Sequence, residues 1–365
     1  MSKETNAEVL EIINAVHYRP ALSLIMPLQA KIGLQVETTK ALKLAADKAE
    51  KELEKNYPDE QCKLIMKKLH NLLDGLIVPP NKKGLAVYVS PIFEKTVFLD
   101  DTVTEKLIVD ESFEVRDLLY IERQKKSFLL LTLSSTDAKL YKWNNGEFEK
   151  LPSALPASIS EFINDAPEKS ANFTDTDNRK QLLVEKFLHQ VDQELGNILS
   201  SQQLPLMVLT TEKIIGEFKK KTHHAASIIG YARGYTEEAT PYEYMNLIKP
   251  QLEAWKQAQE EKILLRLTNA ANQRKLVTGI YNIWTHLATG KGGDLVVEKN
   301  YHFAAQRGPT PDIIEPLIEP YNEFSYMRDA VDDVIEIVVK NGGEVEFTED
   351  GVLQGHEHIA LITYY

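Results

Sequence analysis

The sequence contains a single cysteine and no apolar run long enough to cross a lipid bilayer. Cys62 has no second cysteine with which to form an internal disulfide. It shares a helical stripe with Ile65, Met66 and Leu69, which predicts a buried packing residue. The first residues lead directly into an amphipathic segment without the apolar core of a signal peptide. A transmembrane helix needs about 20 consecutive apolar residues, so these absences favour a cytoplasmic protein that makes no membrane contact.

Metal-binding clusters and nucleophile motifs are also missing. His356 and His358 have the alternating spacing that places two side chains on one side of a strand, but zinc needs further ligands that are not visible. The stretch 290–293, Gly-Lys-Gly-Gly, lacks the spacing of a Walker phosphate loop and leads into a predicted strand, which indicates a turn. No serine, cysteine or threonine lies in a recognisable nucleophile motif. We therefore expect no metal and no cofactor.

Positive charge is scarce relative to negative charge. The chain has 42 Lys and Arg against 54 Asp and Glu, a net charge of -12. Proteins that bind nucleic acid non-specifically carry the opposite excess, so this balance argues against DNA binding. Residues 241–365 contain 11 basic and 19 acidic residues, which is -8 of the -12. Because such a segment repels a phosphate backbone, a protein partner suits it better than RNA.

Length and pattern predict several α/β domains. A chain of 365 residues exceeds one ordinary hydrophobic core, and 43% hydrophobic with 26% charged residues is typical of a folded globular protein. Helical and strand patterns alternate along the chain, which indicates the α/β class. We predict three domains, over residues 1–126, 127–240 and 241–365.

The first two predicted domains each combine strands with helices. In the first, we expect helices over 3–16, 35–55, 58–73 and 116–122, and strands over 21–26, 84–90, 95–99 and 106–109. In the second, we expect a hairpin from strands 128–133 and 138–143, a helix over 179–199, a strand over 205–209 and a helix capped by Thr211. The residues after Gly230 are expected to link to the third domain.

The third predicted domain begins with a long helical pattern and ends with a sheet. We expect a helix over 241–271 that Pro250 divides, a helix over 275–287, a strand over 294–298 and no regular helix in the proline-rich stretch 307–326. A helix from about residue 329 starts with acidic residues, which favour the positive end of its dipole, and stops at Asn341-Gly342-Gly343. Strands are expected over 344–347 and 359–365. The last strand is nearly all apolar, so it should lie inside a sheet with both faces covered.

One small basic cluster occurs in the middle domain. Lys219, Lys220 and Lys221 precede His223 and His224, and Arg233 follows nearby. Cations at a helix C-terminus complement its dipole and can cap its free carbonyl groups, so the lysines have a purely structural interpretation. The alternative is contact with RNA, for which Lys219, Lys220, Lys221 and Arg233 are the candidates.

Acidic residues concentrate in a predicted surface loop. Residues 151–178 are rich in Pro, Ser, Asp and Asn, and such residues are collected by loops for turn chemistry alone. If the loop were instead catalytic, Asp165, Glu168, Asp175 and Asp177 would be the candidates for a hydrolase or nuclease. Two-metal chemistry requires several convergent carboxylates, which the early strands of the domain do not supply.

The order of the elements resembles that of a known family. The stretches 128–133 with 138–142, 275–298 and 334–365 are similar to the bacterial archaeo-eukaryotic release factor family, whose relatives are the class one release factors and Pelota. The resemblance spans roughly residues 127 to 365 as a pattern of elements. It implies a ribonuclease-H-like middle domain and a C-terminal domain of the kink-turn-binding ribosomal protein type. The N-terminal third does not match the codon-reading domain.

The departures from this family concern its chemistry. Release factors hydrolyse peptidyl-tRNA through a Gly-Gly-Gln loop in the middle domain. The only glycine pairs here, Gly292-Gly293 and Gly342-Gly343, lie in the predicted C-terminal domain, and neither precedes glutamine. The stop-codon motif Asn-Ile-Lys-Ser is absent as well. Pelota also lacks the Gly-Gly-Gln, and acts in ribosome rescue.

The resemblance therefore implies a translation-associated factor that does not catalyse release. Its expected partners are the ribosome or tRNA, and possibly a translational GTPase that meets the acidic C-terminal domain. Two alternatives remain open: a hydrolase or nuclease acting through residues 151–178, and a protein-binding adaptor unrelated to translation.

Overall fold

The computed structural model describes most of the chain as two compact units. The described residues are 7–15, 19–28, 35–79, 82–124, 127–144, 147–152, 155–156, 158–160, 176–234, 239–318 and 325–364. One unit combines residues 1–124 with residues 263–365, and the other contains residues 125–262. The mixed α/β class predicted from the sequence is confirmed. The division into three domains, with its ribonuclease-H-like and kink-turn-binding parts, stays a prediction.

The N-terminal segment of the first unit forms a four-stranded antiparallel sheet with helices. Its elements are α1 Ala7–Ile13, β1 Ala21–Pro27, α2 Gln35–Asn56, α3 Asp59–Asp74, β2 Gly84–Val89, β3 Glu94–Leu99, β4 Lys106–Asp110 and α4 Arg116–Gln124. The strand order is β3-β2-β1-β4. Alternate residues of β1 and β2 face opposite sides, and both sides are covered. Leu24 and Val87 pack with α2 and α3, whereas Ile25 and Tyr88 belong to the core on the other face.

The second unit has a five-stranded mixed sheet. Its elements are β5 Phe128–Leu133, β6 Ala138–Asn144, β7 Glu147–Lys150, α5 Thr176–Gln202, β8 Leu206–Thr210, α6 Glu212–Lys221, β9 Ile228–Arg233 and α7 Pro241–Asn272, whose last residues lie in the first unit. The strand order is β7-β6-β5-β8-β9. β5, β6 and β7 are antiparallel, whereas β8 runs parallel to β5 and to β9. Apolar residues of α5 and α6 cover one face of this sheet, including Phe187, Leu195 and Phe218.

The C-terminal segment of the first unit carries a second four-stranded sheet. Its elements are β10 Leu276–Thr278, α8 Ile280–Ala288, β11 Gly293–Glu298, β12 Ala305–Arg307, β13 Ile314–Pro316, β14 Tyr326–Met327, α9 Ala330–Lys340, β15 Val345–Thr348 and β16 Ile359–Thr363. The sheet order is β10-β16-β11-β15, so the last strand lies between two others, as its apolar sequence predicts. β12, β13 and β14 form a small separate sheet.

The two chain segments of the first unit share one hydrophobic core. Ile25 and Phe113 from the N-terminal segment are fully buried in the same cluster as Val297, Val334 and Leu361 from the C-terminal segment. Burial of large aliphatic and aromatic side chains contributes about 1.5 to 3 kcal/mol each. The first unit therefore depends on residues from both ends of the chain.

Both glycine pairs serve the C-terminal sheet. Gly342 has a φ of +78°, which glycine adopts without strain, and it ends α9 as predicted. A Cβ on Gly293 would lie 2.5 Å from the Ile362 carbonyl oxygen, and a Cβ on Gly343 would clash with the Gly293 carbonyl oxygen. Packing between backbones accounts for these two glycines.

Two helix predictions in the C-terminal third need correction. Pro250 does not divide α7, which is continuous through it. Because Pro250 is exposed, the carbonyl group that it deprives of a hydrogen bond can bond to water. The predicted helix over 275–287 begins only at Ile280. Residues 276–278 instead form β10 beside β16, and Gly279 with a φ of +77° separates strand from helix.

The middle of the chain contains two strands that the sequence did not predict. β7 extends the hairpin, and β9 occupies residues that were expected to begin a linker. Gly230 interrupts the apolar run of β9, and a Cβ added to it would lie only 3.0 Å from the Gln251 Cβ. α5 starts at Thr176, so the last residues of the predicted loop 151–178 are helical.

Candidate functional site

The three predicted lysines form the end of α6 in the second unit. Lys219, Lys220 and Lys221 occupy its last turn, and the Thr222 amide donates to the Phe218 carbonyl oxygen at 2.9 Å. The Lys219 ammonium lies 4.6 Å from the centre of the Tyr231 ring, and Lys221 lies 3.4 Å from Glu185. Among the described residues, Lys220 makes no ion pair and is exposed. We call Lys219, Lys220 and Lys221 the basic end of α6.

Arg233 does not join the basic end of α6. Its guanidinium Nε lies 2.5 Å from Glu212, at the opposite end of the same helix, and both side chains are largely exposed. Glu212 and Lys219 are seven residues apart, which is about 10 Å along a helix. The structure thus brings the three lysines together and leaves Arg233 in a separate surface ion pair.

A histidine–aspartate cluster follows directly after the basic end of α6. Asp192, on α5, is 3% exposed. Its carboxylate Oδ2 accepts hydrogen bonds from the His223 amide at 3.2 Å and from the His223 Nδ1 at 2.9 Å. His224 Nε2 lies 3.0 Å from the Asp192 backbone oxygen. A Cβ at Gly196, one helical turn after Asp192, would lie 3.0 Å from the His224 ring, so glycine leaves room for it.

The partners of Asp192 keep its carboxylate ionised. Burial alone would raise its pKa, but hydrogen bonds from Thr222 and His223 and the neighbouring His224 lower it below the usual value. A carboxylate that accepts from Nδ1 fixes the imidazole tautomer and directs Nε2 outward. The His223 side chain is 79% exposed, so its outer nitrogen is available to a ligand.

The acidic loop lies mostly beyond what the structure describes. Asp165, Glu168 and Asp175 are outside the described residues, and Asp177 lies in the first turn of α5. Catalysis by these four residues stays a prediction.

Sequence reasoning missed Asp192 and Tyr231. Asp192 follows Leu188 and precedes Leu195 at helical spacing, so it lies on the buried face of α5. A charged residue at such a position requires a partner, and this is the signal that could have identified it. No comparable signal marks Tyr231, because β9 itself was not predicted.

The first unit contains a cavity of about 290 Å³ beside the start of α9. Its walls carry the carboxylates of Asp110, Glu111, Glu114, Asp329, Asp332, Asp333 and Glu336. Four of these have basic partners, namely Arg307 for Glu111, Lys106 for Glu114, Arg116 for Asp329 and Lys340 for Glu336. Arg328 also lies in the wall, so five basic residues accompany seven carboxylates and negative charges outnumber positive ones.

Asp329 connects the two segments of the first unit. It caps α9 by accepting from the Val331 amide at 3.1 Å, and it also accepts from Arg116 Nη2 at 2.7 Å and His302 Nδ1 at 2.6 Å. Arg116 is 2% exposed and donates to the Tyr301 carbonyl oxygen at 2.6 Å. Burial raises the pKa of Asp329, but the His302 hydrogen bond and the Arg116 charge bring it below the usual value.

Asp332 and Asp333 have the opposite environment. Asp332 is 5% exposed and accepts from the Arg116 amide at 3.1 Å, while Asp333 accepts from the Ser112 hydroxyl at 3.1 Å. Burial, and then the charge of Glu114, raise the pKa of Asp332 well above its usual value. Burial and the nearby carboxylates of Asp110 and Glu336 raise the pKa of Asp333 to about 7.

The remaining sequence candidates have structural environments. His356 ends a short 3-10 helix, and His358 has a φ of +65°, so the two do not alternate along a strand as the spacing suggested. His358 Nδ1 instead lies 2.8 Å from buried Glu298. Residues 290–292 connect α8 to β11, as a turn. Within the described ranges, no group of three or more His, Cys, Asp or Glu side chains could hold a metal ion.

Comparison with protein families confirms the predicted resemblance. The model of bacterial archaeo-eukaryotic release factor family 3 matches residues 127–291 of this chain. No curated protein matches the chain in sequence. Within the described ranges, none of the helices combines the length and apolar character that crossing a membrane requires.

Solved structures of a termination factor, Pelota and a termination-like factor match over most of the chain at low identity. The archaeal termination factor aRF1 is 12% identical, with a TM-score of 0.26 and coverage of 98% of this chain and 97% of that chain. Archaeal Pelota, from a model of ribosome-bound Pelota and ABCE1, is 10% identical, with a TM-score of 0.44 and coverage of 100% and 95%. Dom34 from S. cerevisiae, described as a translation termination-like factor, is 12% identical, with a TM-score of 0.41 and coverage of 80% and 76%. These TM-scores are too low to establish which residues are equivalent.

Proposed function

From the premise that residues 127–291 match bacterial archaeo-eukaryotic release factor family 3, we propose that this chain is a translation-associated factor that binds the ribosome or a ribosome-bound partner. The family match supports the translation-related role. The lysines at the end of α6 make RNA the expected ligand of the second unit.

The basic end of α6 is the observation that carries this proposal. Three consecutive lysines lie at one helix end in a chain whose net charge is -12. Lys219 and Lys220 are exposed. The negative end of the helix dipole repels anions, so attraction for phosphate here comes from the lysine side chains. An ammonium group binds phosphate as a compact point charge, which suits contact with an RNA backbone.

We expect the factor to act without hydrolysing peptidyl-tRNA. The sequence contains no Gly-Gly-Gln, and Gly293 and Gly343 are required by backbone packing in the C-terminal sheet. The flexible backbone and amide that release factors use to position water are therefore not supplied by these glycine pairs. Binding, rather than ester hydrolysis, is the activity that the second unit supports.

We also propose a protein partner for the acidic last third of the chain. A translational GTPase is the partner that the resemblance implies. Not all of the acidic excess is available to it, because Glu298, Asp332 and Glu336 are buried. A surface that meets the partner would thus carry less negative charge than the sequence count of 19 acidic residues suggests.

Sedimentation with ribosomes tests the proposal. Full-length tagged protein should pellet with ribosomes through a sucrose cushion at low salt and be released by a high-salt wash, because displaced counterions make phosphate contacts salt-dependent. Lys219→Gln, Lys220→Gln and Lys221→Gln together should weaken binding by at least about tenfold and flatten its salt dependence.

Three other lysines provide the matched control. Lys249, Lys256 and Lys262 are exposed on α7 in the same unit, so changing them to Gln removes the same charge from another surface. This control should bind ribosomes nearly as the wild type does. Equal binding by wild type and the α6 triple variant would contradict the assignment of the basic end, and free protein at every salt would contradict ribosome binding.

A further inference from the structure

The structure gives His223 a fixed orientation at the basic end of α6. Its ring is bound at Nδ1 and its backbone at the amide, both to the same Asp192 oxygen, at 2.9 Å and 3.2 Å. Two bonds from one residue to one buried oxygen leave the ring little freedom of direction. Nε2 therefore lies on the outward side of a largely exposed ring.

Charged groups of two helices lie near His223. Asp192 on α5 binds the ring at 2.9 Å, and Lys219, Lys220 and Lys221 form the last turn of α6. Glu185 on α5 pairs with Lys221, and Glu217 lies on α6. His224 in the turn and Tyr231 on β9 lie beside Asp192.

The protonation of Nε2 determines how the ring meets a phosphate. When Nε2 is protonated, it offers a charged donor directed outward, and charge-assisted hydrogen bonds to anions are about twice as strong as neutral ones. When Nε2 is unprotonated, the same atom is an acceptor and repels a phosphate oxygen. The ring is thus able to switch between binding and repelling the same ligand.

We infer that His223 is a proton-dependent phosphate contact for RNA, and that Asp192 is the residue that positions it. The inference rests on the proposed function, since it names the ligand and the regulation of the basic end of α6. RNA binding should accordingly strengthen as the pH falls from about 8 to about 6, the range in which histidine ordinarily changes charge.

Deacylated tRNA is a suitable probe for full-length protein at constant ionic strength. The wild type should bind it roughly 3- to 10-fold more tightly at pH 6 than at pH 8, because protonation adds one charge-assisted hydrogen bond to phosphate. His223→Gln should keep the affinity within about twofold across this range. His223→Lys, which carries a permanent charge, should restore at pH 8 the affinity that the wild type shows at pH 6.

Two further variants separate a binding role from a structural one. Asp192→Asn should weaken binding at pH 6, because the ring is no longer held with Nε2 directed outward. His70→Gln removes an exposed imidazole from α3 and should retain the wild-type profile. The thermal midpoint of each variant shows whether it is folded, and His223→Gln alters an exposed ring and should fold normally.

The outcomes distinguish the two proposals. If the wild type binds tRNA but His223→Gln shows the same pH profile, the inference about His223 is wrong while the proposed RNA contact stands. If tRNA and ribosomes are not bound at any pH or salt, the proposed function fails, and the inference fails with it. Rescue by His223→Lys at pH 8 would support the inference, since a purely structural histidine would not be replaced by lysine.

Discussion

Two buried aspartates, one in each unit, have nearly the same exposure and pKa values shifted in opposite directions. Asp192 is 3% exposed and its pKa is lowered, whereas Asp332 is 5% exposed and its pKa is raised. Both lie on helices between apolar neighbours. Burial raises the pKa of a carboxylate in either position, so burial does not explain the difference.

The partners of each carboxylate decide its charge. Asp192 faces hydrogen-bond donors from one turn, Thr222 and His223, with His224 beside them. Asp332 accepts one backbone hydrogen bond and lies among the carboxylates of Glu114, Asp329 and Asp333. A buried aspartate that is met by donors is available to orient a neighbour, as we infer for His223. One that is met by other acids tends to hold a proton.

Removing the basic partner from an ionised aspartate should have the largest effect. Arg116→Ala would leave Asp329 buried without its main cation and remove a hydrogen bond to the Tyr301 carbonyl oxygen. Breaking a buried ion pair typically costs about 3 to 5 kcal/mol. Urea denaturation should show this loss in the free energy of unfolding.

An exposed ion pair of the same unit provides the control for Arg116. Arg307 lies 2.6 Å from Glu111, with side chains 49% and 32% exposed. Arg307→Ala should therefore cost no more than about 1 kcal/mol. Similar losses from the two arginines would show that the buried network contributes no more than a surface pair.

Replacing an acid that tends to hold a proton should have a smaller effect of the opposite sign. The raised pKa of Asp333, about 7, means that its stabilising contribution is complete below the unfolded value of about 3.9 and is lost as pH rises through about 7. A pKa raised from 3.8 to about 7 corresponds to at most about 4 kcal/mol. Because Asp333 is only partly buried, we expect Asp333→Asn to be about 2 kcal/mol more stable than wild type at pH 8, and nearly equal at pH 4.

Asp192→Asn should show the reverse pH dependence in the same denaturation series. Its lowered pKa means that its contribution is present above about 3.9 and is lost as pH falls below that value. Losing hydrogen bonds to a charged group should cost about 1.5 to 3 kcal/mol at pH 7. Asp47→Asn, an exposed position on α2, should have little effect at either pH. Equal pH slopes for the Asp333 and Asp192 variants would refute the contrast between the two aspartates.

Most elements of the fold follow from periodicity, and the exceptions have local causes. The apolar runs of β1 and β16 predicted strands correctly because burial on two faces leaves a clear pattern. β9 and β10 were missed because β9 contains Gly230 and β10 adjoins Gly279, and glycine resembles a linker signal; β10 is also only three residues long. β9 forms a strand by pairing with β8, from which α6 separates it. β10 does so by pairing with β16, which is distant in sequence.

The candidate site was only partly predictable for a related reason. The lysines of α6 are adjacent in sequence, so their cluster could be recognised directly. Asp192 lies 31 residues before His223, and nothing in the spacing of a single sequence indicates that α5 and the turn after α6 meet. The family resemblance did not supply this pair either, since it concerns the order of elements and the missing Gly-Gly-Gln.

The space beside Asp192 can be measured with a pair of glycine substitutions, for which we expect the smallest effect. Glycine in a helix interior costs about 0.5 to 1 kcal/mol relative to alanine, so Gly216→Ala on α6, where a Cβ meets nothing within 4 Å, should stabilise the protein by that amount. Gly196→Ala has the same advantage in helix propensity but places a Cβ 3.0 Å from the His224 ring. The ring is held at Nε2 against the Asp192 backbone oxygen, so moving it should cancel most of the stabilisation. The difference between the two variants in the free energy of unfolding therefore measures how firmly Asp192 holds the turn, and equal stabilisation would mean that His224 moves without cost.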